Sequence, residues 1–309
     1  MSIKQKVTKY IIENWIDSVY CIGYRRTEDN FWEETISRFN VLKPTFRYWY
    51  ADPIPCTIKG KDYIFMEKYD RIAQRGHIAV AELKANGKIT KPRTIVKRNT
   101  HMSFPMIISY KGQYYMIPES SETHHIDIYI MDSSVLHWKH YYSIHVNEEI
   151  VDIVFEIQGE NIILLGGILN NKNILQVKKS IITIYNFDNI NKFHYKLEYM
   201  DEEYSYDQRN AGNFFIMNGE KYLVTQESTQ NDYGMYLKLY KVNEFNESNI
   251  QLNYIKRKTA QNLNISLSPY RYRKIGTHTY GRGANKYEVV DISATQLSIH
   301  PLLRRMRGK

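Results

Sequence analysis

The chain reads as an all-β protein, a five-bladed β-propeller preceded by a short helix, and three features of the sequence predict it. A polar-Gly turn between apolar runs recurs along the chain. Tyrosine, with 27 copies against 11 Phe, dominates the aromatic set, as suits half-wet strands and ring-stacking surfaces. No low-complexity tract or linker interrupts the 309 residues, so one large closed unit is expected over 1–309.

The repeat is explicit in KGKDYIF (59–65), KGQYYMI (111–117), QGENIIL (158–164) and NGEKYLV (218–224), with GANKYEVV (283–290) as a weaker fifth copy. Their glycines, at 60, 112, 159, 219 and 283, recur every 47 to 64 residues. Glycine supplies the positive φ that tight hairpins demand, so each copy predicts strand, turn, strand. Ahead of the turns lie ADPIPCTI (51–58), FPMIISY (104–110), VDIVFEI (151–157) and GNFFIM (212–217). Behind them come third strands at HIAVAEL (77–83), IDIYIM (126–131), IITIYNF (181–187) and MYLKLYKV (235–242). Three to four antiparallel strands repeated five times is a propeller count.

Residues 19–25, VYCIGYR, predict a further strand that completes the last blade and removes an exposed sheet edge. Residues 1–18 form a helical extension, with Ile3, Val7, Ile11, Ile12 and Trp15 near helical spacing. Residues 296–309 form a basic tail ending LLRRMRGK, which suits either a frayed, solvated terminus or an anionic membrane surface.

Cys21 and Cys56 make no disulfide framework and no zinc spacing, and no segment approaches 18 apolar residues. The N-terminus lacks the uninterrupted apolar stretch of a signal peptide, so the expected location is cytoplasmic, with peripheral membrane contact through the tail. The formal charge of +9 points to an anionic partner or simply to a lysine-rich surface. His124 and His125 have no third ligand at a metal spacing, no Asp-x-Asp pair is present, and neither a phosphate loop nor a Gly-x-Ser-x-Gly elbow occurs, so neither metal nor cofactor is expected. Arg209, Arg271, Arg273 and Lys274 are natural anion clamps. No nucleic-acid module accompanies them, so nucleic acid is not the expected partner.

In a propeller the innermost strands line one channel, so equivalent offsets from the turns converge. Eight residues before Gly60 stands Asp52, and the same neighbourhood of the other copies holds Ser103 and Phe104, Asp152, Asn210 and Ala211, and Thr277 and His278. Seven residues after the glycines stand Glu67, Glu119, Gly166 and Gln226. Carboxylates within apolar strands are costly unless paired or used, and two of them across a pocket are the minimal machinery of glycosidic chemistry. Asp52, Glu119 and Asp152 are therefore the candidate catalytic residues, the alternative being ion pairs with Arg209 or strand-end caps. His101 and His278 fall at the predicted rim, where imidazole binds a hydroxyl or phosphate, acts as a base, or is a satisfied core residue.

The motifs YWYADP (48–53), HMSFP (101–105), YYMIPES (114–120), RNAGN (209–213), VTQES (224–228) and IGTHT (275–279) resemble the propeller domain found beside the catalytic domain of plant glucosamine inositolphosphorylceramide transferases. The resemblance spans residues 19–295. More distantly, the Ala-Asp-Pro opening is similar to the five-bladed arabinanase and β-xylosidase clan, which implies Asp52 as general base. Val-Asp-Ile-Val in the third copy and Gly166 depart from these patterns. The resemblance implies substrate contacts from Trp49, His101, Ser103, Arg209, Asn213, Gln226, Glu227 and His278. It also implies a glycosyltransferase of bacterial surface-polysaccharide assembly, capsule or lipopolysaccharide in type. Its partners would be a nucleotide-sugar or lipid-linked donor and a glycan acceptor. In that reading Asp52 or Asp152 activates the acceptor, Glu119 and Gln226 hold sugar hydroxyls, and Arg209 with His278 stabilises donor phosphate. The alternatives are a glycoside hydrolase with Asp52 as base and Glu119 as acid, and a non-catalytic glycan-binding propeller.

Overall fold

The computed structural model describes residues 3–26, 28, 31–33, 37–189, 192–200, 203–267 and 273–306. Five antiparallel sheets stand around a common centre. From the centre outward, blade one holds Tyr48–Ile58, Lys61–Asp70, Arg75–Leu83 and Arg93–Val96. Blade two holds Ser103–Tyr110, Gln113–Glu119, His125–Met131 and Trp138–His145, and blade three holds Ile150–Gln158, Asn161–Asn170, Asn173–Tyr185 and His194–Tyr199. Blade four opens on two short pieces, Arg209–Asn210 and Phe215–Met217, followed by Glu220–Glu227, Tyr236–Phe245 and Ile250–Thr259.

Blade five closes the ring as the sequence predicts. Its inner pieces Arg273–Gly276 and Tyr280–Gly283 and its second strand Tyr287–Leu297 come from the C-terminal end, whereas Ile16–Arg26 and Asn40–Leu42 come from the N-terminal end. The seam runs eleven residue pairs, from Ile16 opposite Leu297 to Arg26 opposite Tyr287. Buried Glu288 fastens it, accepting Arg25 Nε at 3.0 Å and Nη2 at 2.6 Å, Arg282 Nη1 at 2.7 Å, Tyr280 Oη at 2.8 Å and the Phe31 amide at 2.9 Å.

Second strands are apolar almost without interruption because neighbouring blades cover both of their faces. Successive side chains on a strand point to opposite sides. Ile64 and Met66 accordingly pack towards blade five while Phe65 packs towards blade two, and Ile162 and Leu164 face blade two while Ile163 and Leu165 join the central cluster. The core is thus a set of wedges between blades.

The first strands turn into the second ones as expected, with two corrections. Lys59-Gly60, Lys111-Gly112 and Asn218-Gly219 have positive φ at both loop positions, as type I′ turns require. In blade three Gly159 occupies the first loop position instead, so counting from the glycine runs one residue short there. Gly283 is not a turn residue at all: it pairs with Tyr287, and the loop is residues 284–286 with Lys286 at φ 51°.

The termini also differ from expectation. The helix Ile3–Trp15 forms, but strand follows directly from Ile16 rather than after residue 18. The basic tail is not frayed over its described part: His300–Met306 is a helix. Arg304 Nη2 donates to Asp17 Oδ1 at 2.8 Å, and Arg305 donates to Asn14 Oδ1 at 2.8 Å and Glu13 Oε2 at 3.1 Å. Arg71 pairs with the same Asp17. Among the described residues no helix is long and apolar enough to cross a membrane.

Removing a carboxylate that four donor groups share leaves buried cations uncompensated. Glu288→Ala should therefore destabilise the fold by about 3–5 kcal/mol, read as a lower urea midpoint with near-native m-value.

Candidate functional site

The cavity lies where the first strands begin and the second strands end. Its volume is about 370 Å³, and its lining includes Tyr20, Trp49, Asp52, Glu67, His101, Ser103, Glu119, Arg209, Tyr233 and His278. The junctions of second and third strands wall it, Leu169 and Ile174 from the strand ends of blade three and Tyr233 from the loop of blade four.

Every first strand is interrupted at this level. In blades one to three the ladder slips between Ala51 and Ile54, Ser103 and Met106, and Val151 and Val154. The residues at the slips are Asp52 (φ 49°), Phe104 (φ 43°) and Asp152 (φ 52°). Blades four and five break outright, between Asn210 and Phe215 and between Gly276 and Tyr280. A bulge withdraws an amide from its ladder, and a buried amide needs a partner.

That partner comes from the preceding blade. The Asp52 amide donates to Asp291 Oδ2 at 3.3 Å, the Phe104 amide to Asp52 Oδ2 at 3.3 Å, and the Asp152 amide to Glu119 Oε2 at 2.7 Å. Asp152 then accepts Arg209 Nε at 2.5 Å on its side chain and Asn210 Nδ2 at 2.8 Å on its carbonyl. The Tyr280 amide closes the circle on the Ala211 carbonyl at 2.7 Å. All five blade junctions are thus bridged by hydrogen bonds, three of them from a freed amide to a carboxylate.

His278 lies between two carboxylates, its Nδ1 2.5 Å from Asp291 Oδ2 and its Nε2 3.5 Å from Asp52 Oδ1. Asp291 Oδ1 also accepts the amides of His278 at 2.9 Å and Thr279 at 3.0 Å, and Asp52 Oδ1 accepts the Thr279 hydroxyl at 3.0 Å. Burial pulls the imidazole down, but Asp291 and then Asp52 outweigh it, and His278 is raised to about 9. Burial raises Asp52 to about 6, with Asp291 and Asp152 adding and His278 opposing. Glu119 is raised to about 8 by burial and the Asp152 charge, against Arg209. Glu67 stands well above the usual carboxyl range through burial and the charges of Asp52 and Glu119. Asp52 thus ionises below neutrality while Glu119 and Glu67, on the same cavity, are pushed further up.

Aromatic faces complete the lining. Tyr20 stacks on His278 at 4.9 Å, Trp49 lies parallel to Tyr69 at 4.3 Å, and the Arg209 guanidinium covers Tyr233 at 4.9 Å. Flat apolar faces beside carboxyls and hydroxyls suit a sugar ring.

The structure brings together Asp52, Glu119, His101, Ser103, Trp49, Arg209 and His278 as predicted, with Asp152 just beneath, bonded to Arg209. Three expected contacts lie elsewhere. Asn213 Oδ1 accepts the amide of Phe155, within the first strand of blade three, at 3.3 Å. Glu227 points outward to Lys238 at 3.5 Å and Arg257 at 3.4 Å. Gln226 is buried behind the wall and donates to Tyr233 Oη at 3.1 Å. In the second ring Gly167, not Gly166, faces Val151 as Glu67 faces Ala51 and Glu119 faces Ser103, the consequence of the shifted turn. Lys274 Nζ donates to the Ala260 carbonyl at 3.3 Å, Arg273 is exposed, neither lines the cavity, and Arg271 lies outside the described residues. Asp291, Tyr20 and Tyr233 escaped the sequence reading. VDI recurs at 151–153 and 290–292, and that was the available signal for Asp291.

The architecture and its acid-lined centre define a five-bladed propeller of the build seen in glycoside hydrolases. The fold is similar to the catalytic domain of the Coprinopsis cinerea GH62 α-L-arabinofuranosidase (TM-score 0.50, 11% identity, 79% of this chain and 90% of that one). It is likewise similar to the Bombyx mori GH32 β-fructofuranosidase (TM-score 0.52, 9% identity, 82% of this chain and 68% of that one) and to the Lactobacillus brevis α-L-arabinofuranosidase (TM-score 0.51, 12% identity, 82% and 91%). At these identities the likeness concerns the fold alone. Residues 45–280 match the family described as glucosamine inositolphosphorylceramide transferase 1, N-terminal, and the chain belongs to that family. Glucosamine inositolphosphorylceramide transferase 1 of Arabidopsis thaliana is 26% identical over 211 residues, covering 66% of this chain. The chain spans 26% of the length of that relative.

The raised groups fix a pH dependence. Between its ordinary value of 4.5 and about 8, Glu119 holds more proton in the folded than in the unfolded chain, so its contribution to stability falls as pH rises through that window. The sign is the same for Asp52, and for His278, whose contribution is lost through about 9. Glu119→Gln should flatten the decline of the urea midpoint between pH 4.5 and 8; an unchanged slope would place the Glu119 carboxyl in the ordinary range.

Proposed function

We propose that this chain is a glycosyltransferase that moves a sugar between oxygens in the central cavity, in assembly of a surface polysaccharide. The observation that carries the chemistry is the division of protons among the cavity's carboxyls. Asp52, ionised at neutral pH, takes the proton of the incoming hydroxyl, and a second, protonated carboxyl of the cavity gives one to the departing oxygen. Trp49 and Tyr20 offer faces for the ring, and Ser103 a hydroxyl. Family membership beside a plant glycosyltransferase supports transfer as the reaction.

The phosphate-clamp role expected of Arg209 and His278 is the weaker part of the sequence reading. Asp152 holds Arg209 and Asp291 holds His278, so each of these cations already has a buried counter-ion. A departing sugar oxygen needs a proton, whereas a departing phosphate does not. The paired cations and protonated carboxyls therefore favour a donor joined through an ordinary glycosidic oxygen. The same observation favours hydrolysis as the second reading, with water in place of the acceptor hydroxyl.

Incubation with glycosides, nucleotide sugars and lipid-linked sugars, each with and without glycan acceptors, should give elongated acceptor by mass spectrometry. Free sugar alone would make the protein a hydrolase, and binding without turnover would make it a glycan-binding propeller. Asp52→Asn should lower kcat by about 10²–10⁴-fold, and undiminished turnover in that variant would remove Asp52 from the chemistry.

A further inference from the structure

Two carboxyls other than Asp52 line the cavity, both pushed upward by burial, and their surroundings differ. Both Glu119 oxygens are engaged: Oε2 accepts the Asp152 amide at 2.7 Å and Oε1 the Ser103 hydroxyl at 3.4 Å. The first of these bonds holds the bulge of blade three and fixes the Glu119 carboxyl in a structural duty.

Glu67 carries no such duty. It is 4% exposed, lines the cavity, and its Oε1 accepts no hydrogen bond from any described residue. Buried polar atoms without partners are rare, and one at a cavity wall asks for a reason. The surroundings of Oε1 are specific. The Gly76 amide donates to His101 Nδ1 at 3.0 Å, so the proton of the neutral ring sits on Nε2, which lies 3.5 Å from Glu67 Oε1. A side chain at position 76 would collide with this arrangement: a Cβ there would stand 2.3 Å from Glu67 Oε1 and 2.4 Å from the Met102 carbonyl. With Nε2–H turned towards Oε1, the carboxyl proton belongs on Oε2, the oxygen left to face the cavity.

We infer that Glu67 is the general acid of this cavity, that His101 orients it through Nε2–H, and that Glu119 is a positioning residue. The inference rests on the proposed transfer of a glycosyl unit. In that step the C1–O bond to the leaving group breaks and its electron pair goes to the leaving oxygen, which takes the Glu67 proton. The acceptor oxygen bonds to C1 and its proton passes to Asp52. Glu67 ends as a carboxylate facing the His101 Nε2–H, and exchange of one proton with solvent at each residue restores the starting state. The expectation that Glu119 serves as acid is thereby replaced.

Two readouts test this. Glycosides with a good leaving group, such as 2,4-dinitrophenol, need no proton donor, whereas alkyl glycosides do. Glu67→Gln should lose about 10²–10³-fold on the alkyl glycoside and less than about tenfold on the dinitrophenyl one. Glu119→Gln should lose similar factors on both. Equal losses in Glu67→Gln, or a leaving-group dependence found in Glu119→Gln instead, would overturn the assignment. The second readout needs no turnover: in ¹³C-glutamate-labelled wild type, the Glu67 carboxyl should be protonated at pH 7, and His101→Asn should raise its titration further. An ionised Glu67 in an active wild type overturns this assignment alone. A wild type inert on every glycoside and sugar donor overturns the transfer reading with it.

Discussion

The structure depends on finding partners for amides that the inner strands give up. Each first strand is bulged or broken at the level of the cavity, and at three of five junctions a carboxylate of one blade receives the freed amide of the next. The remaining junctions use Asp152 with Arg209 and Asn210, and a backbone bond from Tyr280 to Ala211. Burial of Asp52, Glu119, Asp152 and Asp291 is thus a condition of closing the ring. The chemistry of the cavity is drawn from groups that the architecture already requires.

That double use explains the protonation pattern. Several acids crowded into one dry centre cannot all be charged. Burial and the neighbouring carboxylates push Glu119 and Glu67 up, while Asp52 is raised only to about 6 because the His278 charge opposes its burial. Asp52 has His278, Thr279 and the Phe104 amide. Glu67 has only a neutral imidazole edge, and burial with the charges of Asp52 and Glu119 pushes its carboxyl well above the usual range. Arg209 and His278 are engaged by Asp152 and Asp291, so each of these cations already has a buried counter-ion.

Much of this was legible in the sequence because it follows from local rules. Gly60, Gly112 and Gly219 mark hairpins that only positive φ allows, and aligning on them brought Asp52 and Glu119 to one level. The failures have equally local causes. Gly159 supplies a type II′ turn in place of I′, which displaced the second ring by one residue from Gly167 to Gly166. Gly283 lies in a strand, so alignment on it could not reach Asp291. Tyr20 enters from the opposite end of the chain across the seam, and Asn213 and Glu227 sit in apt motifs whose side chains point away from the cavity. Glu67 was visible in the ring, but its missing partner is a three-dimensional fact.

The central claim is that one sugar occupies the cavity between Asp52 and Glu67. A crystal structure with a non-hydrolysable glycoside or iminosugar tests it most directly. The ring should lie against Trp49 or Tyr20, with its anomeric carbon within reach of both the Asp52 and the Glu67 carboxyls. An empty cavity at saturating ligand, or a sugar seated instead at the turn face beside Arg26, Lys61 and Asn285, would contradict it.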